Sequence, residues 1–299
     1  MQLLEADGAN PIIYGEMKKP GATRTLCFYV HYDGQPVDES KWKHAPFKPV
    51  LYSGPMDAGG KPIDLPNKRT KINPEWRLYG RSAGDDKAPI ITILNAVDAL
   101  QASNIGITSN IKLFFEGEEE AGSTNLKVHL STHRELLDDI DIWLFCDGPM
   151  HQSRQPQLVF GVRGVTGMEV TIYGAARSLH SGHYGNWAPV PGQTLSHLIA
   201  SMKDEEGNVL IDGFYDTVEP LSEFERLELS KIPDVDIGLK NELGLAYTEG
   251  GGRSINERLL LPSLTIKGLA SGNVGSKARN VIPNSATVAL GVRLVKGNE

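Results

Sequence analysis

Three compact apolar runs, each ending in a residue that can bind a metal, constrain this chain more than any other feature. Thr25-Leu26-Cys27-Phe28-Tyr29-Val30 leads into His31. Ile111 to Phe115 leads into four carboxylates, Glu116, Glu118, Glu119 and Glu120. Asp141 to Cys146 leads into Asp147. Runs of this length and composition read as buried strands. Between them, Ile90, Ile91, Leu94, Val97 and Leu100 recur at helical spacing, and 125–137 also reads as helical. Strands alternating with helices imply βαβ units, an α/β fold and a mostly parallel sheet. Ligands of such sheets bind beyond the carboxyl ends of the strands. His31, Glu119, Glu120 and Asp147 are therefore expected to converge.

The remaining sequence is organised differently. Residues 36–76 are rich in Pro, Gly, Lys and Asp and read as a long surface excursion. From about residue 160 the pattern changes. Residues 167–173 alternate partly with period two, as in a half-exposed antiparallel strand. A helix is expected over 191–202, short helices around 219–230 and 235–244, and strands over 261–269 and 286–295. This order fits a second, α+β domain. The boundary is expected at 160/161, which suits 299 residues at roughly 150 per domain.

A net charge of −7 argues against a nucleic-acid partner. No apolar run is long enough for a transmembrane helix, and the first residues do not read as a signal peptide. Cys27 and Cys146 both lie in apolar runs and read as free thiols, so the cytoplasm is the expected compartment.

Several residues suit metal chemistry. His31 and Asp33 point to the same side of an extended chain, and a ligating imidazole commonly gives its second N–H to a carboxylate. The alternative is a surface turn built by Asp33-Gly34. Asp85 and Asp86 precede the helix at 90–100, where acids also favour the helix dipole and cap free N–H groups. The short-chained turn before them would allow the close approach that a metal-bridging carboxylate needs. Glu119 and Glu120 are adjacent and point apart, so one can ligate while the other acts as a base. A solvated acidic loop is the competing reading of 116–120. Histidine with carboxylates, and no cysteine, favours Zn²⁺, Mn²⁺ or Co²⁺.

The segments HYDGQP (31–36), GRSAGDDK (80–87), FEGEEEAGS (115–123), FCDG (145–148), GVRG (161–164), LHSGHYG (179–185), NVIP (280–283) and RLV (293–295) occur in one order along the chain. In this the chain resembles the co-catalytic zinc exopeptidases, the family of carnosine dipeptidases, aminoacylases and glutamate carboxypeptidase. The resemblance implies a zinc-exopeptidase catalytic domain over 1–160 and an inserted lid and dimerisation domain over 161–299. It implies two divalent metals, His31 and Asp147 on the first, Glu120 on the second and Asp85 bridging them across a cis Asp85–Asp86 peptide. Asp33 would stand behind His31, Glu119 would be the general base and Glu118 a bystander. His180 would stabilise the oxyanion in the partner's site, and Asn280 and Arg293 would hold substrate. Asp147, rather than a glutamate, resembles the dipeptidase and aminopeptidase branches.

Family members carry a helical region before the first strand, of which only a stub is expected here, and a final histidine ligand that would follow Arg293. The chain therefore reads as part of a longer protein. The expected activity is metal-dependent hydrolysis of dipeptides or short peptides by a homodimer. N-acyl amino acid deacylation, or an inactive dimerisation module, are the alternatives.

Overall fold

The computed structural model describes residues 1–298 and separates into two compact units, Met1–Pro149 and Met150–Glu299. The first unit is built on a five-stranded sheet. Its strands are β1 (Gln2–Leu4), β2 (Ile12–Met17), β3 (Thr25–His31), β7 (Asn110–Glu116) and β8 (Ile142–Phe145), in the spatial order β1-β2-β7-β3-β8. The α/β class is as expected. The sheet is mixed: β3 runs parallel to β7 and β8, while β2 is antiparallel to both β1 and β7. The parallel part aligns His31 with Glu116 and Tyr29 with Phe145, so three carboxyl ends emerge side by side.

Alternation along β3 explains the layers. Cys27 and Tyr29 face one way and join Leu4, Ile12, Tyr14 and Phe114, which pack against Leu126 of α2 (Leu126–Thr132) and Leu136. Val30 faces the other way and joins Phe115 and Ile93 of α1 (Lys87–Ala102). The helical stub expected before β3 is instead the β1–β2 strand pair, which buries Leu4, Ile12 and Tyr14. The excursion at 36–76 also carries structure. β4 (Val50–Tyr52) pairs with β5 (Pro62–Ile63) and β6 (Arg77–Tyr79) around a fully buried Tyr52, whose hydroxyl meets His44 Nε2 at 2.5 Å.

The second unit contains a three-stranded antiparallel sheet, β11 (Ser263–Ala270), β13 (Ser285–Leu294) and β9 (Gly164–Tyr173), with β13 central. Ala286, Val288, Leu290 and Val292 alternate on the buried face of β13. They pack with Leu195, Leu198 and Ile199 of α4 (Pro191–Ala200). A two-stranded ladder joins β10 (Leu179–His180) to β12 (Val281–Ile282), and α3 (Ser181–Tyr184) follows β10 directly. The polar segment after α4 forms α5 (Glu223–Ser230), α6 (Asp236–Glu242) and α7 (Ile255–Leu259). Ser222 with Glu225, and Ser254 with Glu257, close capping boxes that start α5 and α7. Among the described residues, no helix is long and apolar enough to cross a membrane. Cys27 is buried, Cys146 half-buried, and both are free.

Candidate metal centre

His31 ends β3 with its side chain buried. Its Nδ1 lies 3.1 Å from Asp33 Oδ1, and Asp33 Oδ2 accepts from the Glu120 backbone N–H at 3.0 Å. Asp33 thus ties the imidazole to the acidic loop. A proton shared with Asp33 leaves Nε2 as the lone-pair nitrogen. That nitrogen faces Asp85 Oδ1 at 3.0 Å, Asp147 Oδ1 at 3.7 Å and Glu119 Oε2 at 3.8 Å. It is buried and makes no hydrogen bond. Lone pairs gathered around one buried point repel each other unless a proton or a cation sits between them.

The electrostatics carry the same signature. Burial disfavours the charged form of His31, but the carboxylates of Asp147, Asp86, Glu119 and Asp33 outweigh it and raise the imidazole pKa. Burial, opposed by His31 and reinforced by neighbouring acids, raises the carboxyls of Glu119 and Asp147. Two sets of donor atoms each converge within 4.8 Å: His31, Glu119 and Asp147, and His31, Asp85 and Glu120. Nitrogen with hard oxygens suits a divalent cation such as Zn²⁺ or Mn²⁺.

Short backbone approaches bring the loops together. A Cβ on Gly34 would strike Ser82 Oγ, and a Cβ on Gly117 would strike the Tyr32 ring. Glycine at both positions lets the loops after β3, before α1 and after β7 close on one another. The Asp85–Asp86 peptide is cis.

Other contacts are invisible in the motifs. Asp86 precedes α1, but its side chain does not cap the helix. It is buried and accepts from the His31 backbone N–H at 3.1 Å, and burial pushes its carboxyl up to about 6. The competing reading of Asp86 as a helix cap therefore does not hold: its carboxylate accepts from the His31 backbone instead. Glu118 faces away from the donor sets and accepts from the Asn10 N–H at 2.8 Å and from Asn125 N and Nδ2 at 3.2 and 3.0 Å. It staples the acidic loop to residues before β2 and after the loop. Gln35 Nε2 donates to Glu120 Oε2 at 2.7 Å. Below the loop, the Tyr29 hydroxyl donates to buried Glu116. The sequence hint for Gln35 was its place in HYDGQP; for Asp86 and Glu118 it was only their neighbours.

The structure brings His31, Asp33, Asp85, Glu119, Glu120 and Asp147 together in the first unit. In the second unit, His180 pairs with Val281 across β10–β12, beside Asn280, whose carbonyl accepts from the Ser181 N–H at 3.0 Å. His180 Nδ1 accepts from the Gly182 N–H at 3.0 Å, and the His180 and His183 rings lie 4.5 Å apart. Arg293 is exposed on β13, opposite Ser263 and Val165.

The sequence pattern described as Peptidase family M20/M25/M40 matches residues 27–204. The chain belongs to that family. A second pattern, the peptidase dimerisation domain, matches residues 160–299 of this M20 chain. Among curated relatives, the mouse Beta-Ala-His dipeptidase is 28% identical over 95% of this chain and 54% of its own length. The Cys-Gly metallodipeptidase dug1 of Schizosaccharomyces pombe is 27% identical over 97% and 57%. The M20 chain thus spans little more than half the length of these relatives. Human carnosine dipeptidase 1 superposes with a TM-score of 0.72 at 27% identity, covering 97% of the chain and 57% of that structure. The M20 metallo-carboxypeptidase Sso-CP2 of Sulfolobus solfataricus gives 0.73 at 29% identity, covering 100% and 63%.

Proposed function

We propose that this chain is the metal-binding part of a dipeptidase that hydrolyses the amide bond of dipeptides or short peptides. The observation that carries the reading is buried His31 Nε2, unbonded and faced by Glu119 and Asp147 beyond the ends of parallel strands and by Asp85 from the turn before α1. The M20 relatives named as dipeptidases support the substrate class.

His31, Asp85 and Asp147 would hold one divalent ion, and Asp85 with Glu120 a second, Zn²⁺ being the best match to the donor set. When bound, such ions supply Lewis acidity and activate water at neutral pH. The protein groups do the rest. Asp33 fixes the His31 tautomer. Glu119, whose proton affinity is raised by burial, takes a proton from the attacking water and passes it to the leaving amine. His180 from a second copy would donate to the developing oxyanion. Arg293 suits bidentate binding of a substrate carboxylate, with Asn280 as a further polar contact.

The test uses the full-length protein with dipeptides and N-acetyl amino acids as competing substrates. Glu119→Gln should retain its metal and lose turnover about 10²–10⁴-fold. Near-normal turnover in that variant would remove the base assignment. Faster turnover of N-acetyl amino acids would make the protein a deacylase. Absence of metal and of hydrolysis would leave a dimerisation module.

A further inference from the structure

The second unit holds a cavity of about 300 Å³ between α6, α7 and the start of β11. This lies at the lower end of the range for small-molecule sites. Its apolar part includes Val209, Leu239, Leu243 and Leu264. Its charges are uneven: Arg163, Lys203, Lys240, Arg253 and Arg258 line it with only Asp236 and Glu249.

Both acids are already engaged. Glu249 pairs with Lys203 at 2.8 Å, and both Asp236 oxygens accept from the Ile255 N–H at 3.1 and 3.3 Å. Arg258 is held by neutral oxygens, Gly207 O at 3.3 Å and Asn208 Oδ1 at 3.4 Å. Among the described residues, no acid pairs with Arg163, Lys240 or Arg253. The cationic surplus stands out in a protein whose net charge is −7. Arg163 is half-buried. Burial, and then the Arg293 charge, lower its proton affinity, so its cationic form is under-compensated where it stands.

We propose that this cavity binds a small organic anion, a carboxylate carried on a short apolar body. The leucines would receive the body. The guanidinium and ammonium groups would receive the carboxylate, with arginine offering a two-point fork. Every lining side chain belongs to the second unit, and the proposal does not depend on the metal centre.

The test is calorimetric titration of the full-length, metal-free protein with hexanoate, and with 1-hexanol as the uncharged control. Lys240→Ala/Arg253→Ala removes two unpaired cations, and His31→Ala alters the candidate metal centre as a control for binding there. Wild type and His31→Ala should bind hexanoate alike, the double variant about ten-fold or more weakly, and hexanol should not bind. In methyl-labelled wild type, bound hexanoate should give cross-relaxation to Leu239 and Leu243 methyls, a readout independent of whether the variant folds. Equal affinity in a folded double variant, loss of binding in His31→Ala, contacts elsewhere, or no binding up to about 10 mM would overturn the proposal.

Discussion

Asp33 touches two partners at once, His31 Nδ1 and the Glu120 backbone N–H. Removing it frees both the imidazole and the loop that presents Glu119 and Glu120. Asp33→Ala should therefore weaken metal binding about 10–100-fold, read by competition with a chromogenic chelator, while the fold persists by circular dichroism. Unchanged affinity would make Asp33 dispensable. Glu118 predicts the opposite pattern. Its bonds to Asn10 and Asn125 hold its carboxyl below the usual glutamate range. Glu118→Ala should cost about 1–2 kcal/mol of stability in urea unfolding, and metal stoichiometry should be retained. His31, Glu119, Glu120 and Asp147 were legible as candidate ligands because each follows the end of an apolar run, and Asp85 only as one of two acids after a tight turn. Asp86 and Glu118 were not, because what defines them is a partner 55 and 108 positions away, respectively. Adjacent acids look alike in a sequence; only the fold decides which carboxylate turns inward.

At the scale of elements, β7 carries an unusual guest. Lys112 is buried on this central strand, its Nζ donating to Leu136 O at 2.6 Å and to Asp139, with Glu16 Oε1 at 3.7 Å. Burial opposes its charge, but the bond to Asp139 and the nearby acids outweigh this and raise its pKa, while Lys112 holds the Asp139 carboxyl below the usual aspartate range. A depressed carboxyl contributes stability above the unfolded-state pKa and loses it as acid protonates the folded form. The contribution should be complete above about pH 4 and decline below it. Asp139→Asn should flatten that acid limb in urea midpoints recorded from neutral to acidic pH; an unaltered limb would show that the pair does not govern it. Strands β3, β7, β8 and helix α1 were legible because their apolar spacing is regular. The β1–β2 pair was not, because β1 has three residues with one buried and β2 buries adjacent positions as well as alternating ones. The β4–β6 sheet was hidden among turn-forming residues, where two- and three-residue strands leave no periodicity.

For the molecule as a whole, metal should act as a stabilising ligand of the first unit. An ion at 1,000 times its dissociation constant adds about 4 kcal/mol. Chelation should therefore lower the unfolding temperature of that unit in calorimetry and leave the second unit's transition in place; a uniform shift, or none, would contradict a centre confined to the first unit. The dimerisation-domain match over 160–299 leads to a further expectation, that the full-length protein sediments as a dimer at micromolar concentration. A monomer would remove His180 from the proposed chemistry. The change from buried parallel runs to half-exposed alternation was legible near residue 160, whereas the compact units divide at Pro149/Met150. The internal wiring of the second unit was less so, since the helices after α4 are short and their cavity joins residues from 163 to 265. The bond from Asn10 to Glu118 spans 108 positions. At ribosomal rates of roughly 5–20 residues per second, the first hairpin waits about 5–20 s for the strand that completes it. Through that interval β2 is an open edge, available to any other nascent strand. The loop after β7, which brings Glu119 and Glu120 to His31, therefore arrives late, and β2 stays open until that strand is made.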